Sequence, residues 1–140
     1  MSDWPERIRR LTQLHQRLRD LEDEVVQSAS PPAPPAQHVR ADLPDDYRAF
    51  LGAANGWVGF YKGIDLFGSD QLREHESGLL IGASKEAGDQ LVLVTSGETR
   101  GAVKWFGGGE LVDEFEAFGA FFDGIVAQTR EEERKLEARR

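Results

Sequence analysis

Apolar residues near the start of the chain recur every three or four positions. Trp4, Ile8, Leu11, Leu14, Leu18, Leu21 and Val25 fall on one broad stripe, while Arg7, Arg9, Arg10, Arg17 and Arg19 lie mostly off it. This spacing is the repeat of an α-helix with one buried face, and it predicts an amphipathic helix of about six turns within residues 1–27. His15 and Glu22 interrupt the seam. A coiled-coil arm needs several unbroken heptads, so the pattern favours a helix that lies on the domain. Residues 28–37, Ser-Ala-Ser-Pro-Pro-Ala-Pro-Pro-Ala-Gln, form an extended proline-rich linker, because proline fixes φ and donates no backbone hydrogen bond.

A second helical stretch is punctuated at both ends. Leu43, Tyr47, Phe50, Leu51 and Ala54 share one face; Pro44 suits a first turn, Asp45 and Asp46 sit at the positive end of the helix dipole, and Asn55-Gly56 reads as a left-handed stop. An antiparallel meander follows. Trp57–Tyr61 and Ile64–Phe67 read as strands around Lys62-Gly63, Ser69–His75 as a brief capped helix, and Leu79–Gly82 as a further strand. Gln90–Thr95 and Gly101–Phe106 flank a hairpin loop, and Gly107-Gly108-Gly109 breaks the second of them. Asp113 and Glu116 then resemble a capping box for a final helix with Phe115, Phe118, Phe122, Ile125 and Val126 on its core face and Gly119 and Gly124 allowing close packing. Residues 129–140 have almost no apolar face and read as a charged, solvated helix extension, with Glu131 and Lys135 as an i,i+4 pair. The expected fold is α+β: an antiparallel sheet of about five or six short strands, helices mainly on one side, and the extra N-terminal amphipathic helix in front.

Charge narrows the function classes. The net charge of −8 argues against direct nucleic-acid binding, which needs a basic stripe to meet phosphates. Without cysteine, disulfides and thiolate chemistry are excluded; no long apolar run reads as a membrane span, and the first residues lack the layout of a signal peptide. The expected location is cytoplasmic. Catalytic patterns are weak. His15, His38 and His75 have no metal-ligand spacing, no serine sits in G-x-S-x-G, and the triple glycine lacks the Lys-Ser/Thr ending of a phosphate loop. No catalytic, cofactor or metal residue is assigned, and an enzyme is not expected.

The motif residues Leu43, Pro44, Tyr47, Phe50 and Leu51, closed by Asn55-Gly56, with Ile64–Phe67 and Leu79–Gly82 as middle strands and Phe115-Glu116-Ala117-Phe118 as an exit, resemble the SMI1/KNR4 family, also called the SUKH superfamily. The resemblance covers roughly residues 40 to 126, within a domain drawn at 38–128. It implies a non-enzymatic protein-binding module: an immunity protein that binds a cognate polymorphic toxin, often a nuclease or other modifying enzyme, and neutralises it by occlusion. The alternative it leaves open is a regulatory or scaffold module that contacts a host-cell protein, through the first helix and linker.

The partner expected is a protein with a basic surface, met by a monomer or weak homodimer; no membrane and no cofactor are called for. Acidic groups gather at Asp20–Glu24, at Asp42, Asp45 and Asp46, and at Glu110, Asp113, Glu114 and Glu116. Each group is explained singly as a solvated face or helix start, while their sum attracts basic partners. Aromatic residues supply the other half of a binding hot spot: Trp57, Tyr61 or Trp105, if exposed beside acidic residues, would be the anchor. The candidate protein-binding residues are therefore Asp45, Asp46, Trp57, Tyr61, Trp105, Glu114 and Glu116.

Overall fold

One antiparallel sheet of seven strands is backed by three helices in the computed structural model, which describes residues 4–20, 31–84 and 88–139. The order is α1 (Trp4–Asp20), α2 (Asp45–Ala53), β1 (Trp57–Tyr61), β2 (Ile64–Leu66), β3 (Arg73–His75), β4 (Gly78–Ser84), β5 (Asp89–Leu93), β6 (Val103–Gly107), β7 (Glu110–Phe115) and α3 (Phe118–Ala138). Across the sheet the strands run β1-β2-β4-β5-β6-β7, and β3 pairs with the first half of β4 while β2 pairs with its second half. The α+β class, the antiparallel pairing and the leading helix are as the periodicities predict.

Alternation along the strands sends one set of side chains toward the helices. Leu79, Ile81, Leu91, Leu93 and Val103 join Phe50, Phe118, Phe121 and Phe122 in a single core. α1 is part of that core. Its Trp4 ring lies 5.4 Å from Phe50, 5.6 Å from Phe118 and 5.2 Å from Phe122, and the Arg7 guanidinium sits 4.0 Å over it. Ile8, Leu11, Leu14 and Leu18 are buried behind it, so the apolar stripe is spent on the domain. Leu21 and Val25 fall outside the described residues, as do positions 28–30 of the linker. The rest of the linker is tied to the α2–β1 corner by Ala33 N–H to the Gly56 carbonyl, Ala36 N–H to that of Leu51 and Asn55 N–H to that of Pro34.

Four local expectations are corrected. Ser69–His75 is not a helix: residues 69–71 form a turn, and Arg73–His75 pairs with β4 as β3. The last helix does not begin at Asp113. Glu110–Phe115 is strand β7, and α3 starts at Phe118 with Ala117 at its N-cap, so Asp113, Glu114 and Glu116 form no capping box. The triple glycine is what allows this. Gly107 pairs with Glu110, and Gly108 and Gly109 at φ of 61° and 85° make the two-residue turn whose twist suits a hairpin. Strands β3 and β7 raise the sheet above the five or six expected. Finally, α2 ends in extended Ala54 (φ −150°) rather than in a left-handed residue. Gly56, at φ +95°, serves a different need: a Cβ there would lie 2.7 Å from the Leu66 carbonyl oxygen.

α3 continues without a break through the charged tail, which α1 meets through Arg17 Nε, 3.2 Å from Glu133 Oε2. Glu131 pairs with Arg134 at 3.6 Å. Among the described residues no helix is long and apolar enough to cross a membrane.

Candidate functional site

The seven candidate residues separate into three settings. Trp57 is 1% exposed, packed 5.5 Å from Phe60 and edge-on to His15 at 5.5 Å. Tyr61 is also buried, edge-on to Trp105 at 6.4 Å. Neither is an exposed anchor, and the reason is position: both lie on the face of β1 that packs into the core, opposite buried Leu66 and Ile64. Trp105 is half-buried at the margin of the same core; its Nε1–H donates to Asp89 Oδ1 at 3.3 Å. The hot-spot reading of the aromatic residues is thus overturned for Trp57 and Tyr61.

Asp45 and Asp46 open α2, as expected, but differ in role. Asp45 is exposed and pairs with Arg48 at 2.7 Å. Asp46 is half-buried, and its Oδ2 accepts the Gly119 N–H at 2.8 Å, filling one of the unsatisfied donors in the first turn of α3. The Gly119 carbonyl takes a 2.7 Å hydrogen bond from Arg7 Nη2, which also bonds Asp123 at 2.8 Å. Asp46 therefore holds the fold together and is a poor candidate for partner contact.

Glu114 and Glu116 lie at the end of β7, where they line a cleft of about 440 Å³ with Glu98, Thr99, Arg100, Ala102 and Phe115. Arg100 Nη2 donates 2.6 Å to the Asp42 carbonyl, which joins this cleft to the segment before α2. Two acidic groups that are far apart in the chain thus share one side of the molecule. The Asp42 carboxylate is held below the usual range by hydrogen bonds from Arg40, at 3.1 and 2.7 Å. Lys104 Nζ stands 4.0 Å from Glu114 Oε1.

What the sequence reading missed is the apolar part of this surface. Leu111 and Val112 on β7 are 52% and 64% exposed, two of the three exposed large hydrophobic residues among those described. The Gly-Gly pair after Val103–Phe106 was the available signal, since it is a hairpin turn followed by a run that includes Leu-Val. Among the described residues β7 pairs with β6 alone and so forms one edge of the sheet. On that edge the Glu114 N–H is taken by the carboxylate of Asp113 at 2.8 Å.

The opposite edge, β1, is engaged by its surroundings. His15 is buried and hydrogen-bonded to the Phe60 backbone; burial first, then the charge of Arg19, lowers its pKa to about 4, so the ring is neutral near pH 7. Asp65 Oδ1 accepts the Gly59 N–H at 2.8 Å. Of the other histidines, His75 lies on β3 and stacks on Phe106 at 5.7 Å, and His38 is exposed and lines a cleft with Asn55, Ser69 and Asp70. Burial pushes the Tyr47 hydroxyl up, out of reach of proton transfer at neutral pH. Among the described residues no three His, Cys, Asp or Glu side chains are grouped to hold a metal ion.

No family model, curated protein or solved structure matches this chain.

Proposed function

We propose that this chain is a non-enzymatic protein-binding module of the SMI1/KNR4 (SUKH) type, acting in the cytoplasm as an immunity protein that occludes the active site of a cognate toxin with a basic surface. The observation that carries the reading is the β7 surface: an edge strand that exposes Leu111 and Val112 among Glu110, Asp113 and Glu114, with Glu116 just beyond it, on a chain of net charge −8. A nuclease substrate cleft is basic because it binds phosphate, and an acidic surface with an apolar centre is complementary to it. The resemblance in the Leu43–Gly56 motif adds its weight, because the helix-then-sheet order it implies is the order observed. The scaffold alternative has less to stand on, since the apolar face of α1 that would carry it is buried.

The test is co-expression with a secreted toxin encoded beside this chain's gene. Growth restored by the native chain and lost with Glu114→Arg and Glu116→Arg, at unchanged thermal stability, is the expected result. Toxicity undiminished by the native chain overturns the immunity reading, and full protection by the charge-reversed chain removes those two residues from the interface.

A further inference from the structure

We infer that β7 takes up an extended basic segment of a partner protein as an eighth strand of the sheet. The inference rests on the protein-binding reading above and specifies how the partner is held.

The main chain comes first. A strand paired on one side presents a row of amide and carbonyl groups on the other, and such a row is a template for another chain. β7 spans six residues, Glu110–Phe115, and among the described residues it pairs with β6 only; the Asp113 carboxylate that holds the Glu114 N–H is exposed and gives way to a carbonyl of the incoming strand. Six residues match the usual length of a strand in a globular protein, about 20 Å.

Side chains choose the occupant. Paired residues in an antiparallel sheet share a face, so Leu111 opposite Phe106 and Glu114 opposite Lys104 lie on the side away from the helices, while Asp113 opposite Trp105 lies on the helix side. The register slips between Trp105 and Phe106, leaving Val112 as the extra residue of a bulge. An added strand therefore meets apolar side chains along Leu111 and Val112 and carboxylates along Asp113 and Glu114. Opposite charges across strands are favourable and like charges unfavourable, each by a modest amount per pair. A second copy of this chain, paired antiparallel over all six residues, would set Leu111 opposite Glu114 and Val112 opposite Asp113, carboxylate against apolar side chain with no opposite charge to meet it. A segment with two lysines or arginines followed by two β-branched residues, running antiparallel to β7, satisfies both halves.

The experiment uses the full chain and three synthetic peptides of Val-Val-Lys-Lys repeats flanked by threonine: the plain peptide, one with N-methyl groups on alternate amides, and one with glutamate for lysine. Affinity is read by calorimetry and the contact by amide hydrogen exchange. The expected result is binding of the plain peptide, slowed exchange at residues 110–115, an affinity about tenfold or more lower for the N-methylated peptide, and none for the acidic one. Equal binding of the plain and N-methylated peptides overturns strand addition, because charge attraction needs no amide donors; if Glu114→Lys with Asp113→Lys then abolishes both, the acidic-surface reading stands without it. Slowed exchange away from β7, or no binding of the plain peptide, also overturns the inference. Failure of protection in cells with peptide binding intact removes the immunity reading and leaves strand addition standing.

Discussion

The two edges of the sheet solve the same problem by opposite means. β1 and β7 each pair with a single neighbour, so each begins with a row of unshared backbone groups. At β1 the protein covers them: His15 from α1 bonds the Phe60 backbone, and the proline-rich segment reaches the Gly56 carbonyl just before the strand. At β7 the protein leaves the row in water and surrounds it with carboxylates, one of which folds back on the Glu114 amide. Covering an edge spends apolar surface and stabilises the fold. Charging an edge contributes little stability but rejects another copy of the same chain, and so keeps the edge available to a partner of opposite sign.

The contrast is sharpest if the covered side is emptied. Trp4→Ala removes a ring packed against Phe50, Phe118 and Phe122, and truncation of a buried tryptophan costs about 3–5 kcal/mol. Urea unfolding should show a loss of that size; a loss below about 1 kcal/mol would mean that α1 is a removable cover and that β1 is as open as β7.

Acid attacks the same edge more gently. His15 takes up a proton with a pKa of about 4 in the fold and near its ordinary 6.5 when unfolded. The unfolded chain thus binds more protons between those values, so stability from this group is complete above about pH 6.5 and is lost as the pH falls towards 4, by up to about 3 kcal/mol. Denaturation midpoints measured from pH 7.5 to 5 should fall for the native chain and fall less for His15→Gln. Parallel slopes would assign the acid sensitivity to other groups.

The smallest change is expected at the open edge. Leu111→Lys replaces a side chain that is already half in water, and surface substitutions of this kind stay within about 0.5 kcal/mol. A thermal midpoint displaced by many degrees would show that β7 is tied into the core after all, and the distinction between the edges would collapse.

Legibility in the sequence followed the same division. α1 and α2 could be read because their apolar residues keep a helical period over several turns, and the strands from Trp57 to Phe106 because they alternate between turns rich in glycine. β7 was hidden. Only Phe115 of its six residues is drawn toward the core, so no period marks it, and acidic residues beside Phe115 imitate a helix start. β3 was hidden for a related reason: Arg73, Glu74 and His75 are polar, and pairing with β4 rather than side-chain burial makes them a strand. Trp57 and Tyr61 failed as anchors on a question that alternation leaves open, namely which face of β1 meets the core. His15 looked like a flaw in an apolar seam, whereas its ring is the group that spans from α1 to the sheet.

The hydrogen bonds at Gly119 have a consequence for time rather than for energy. Arg7 reaches its carbonyl across 112 residues of chain and Asp46 its amide across 73. Contacts between such distant residues cost the most loop closure and tend to form after the local hairpins from Trp57 to Phe115. Interactions completed late in folding are absent from the transition state, and they act on the rate of opening more than on the rate of closing. The clasp that joins the three helices at one glycine therefore governs how long each molecule stays folded once it has arrived.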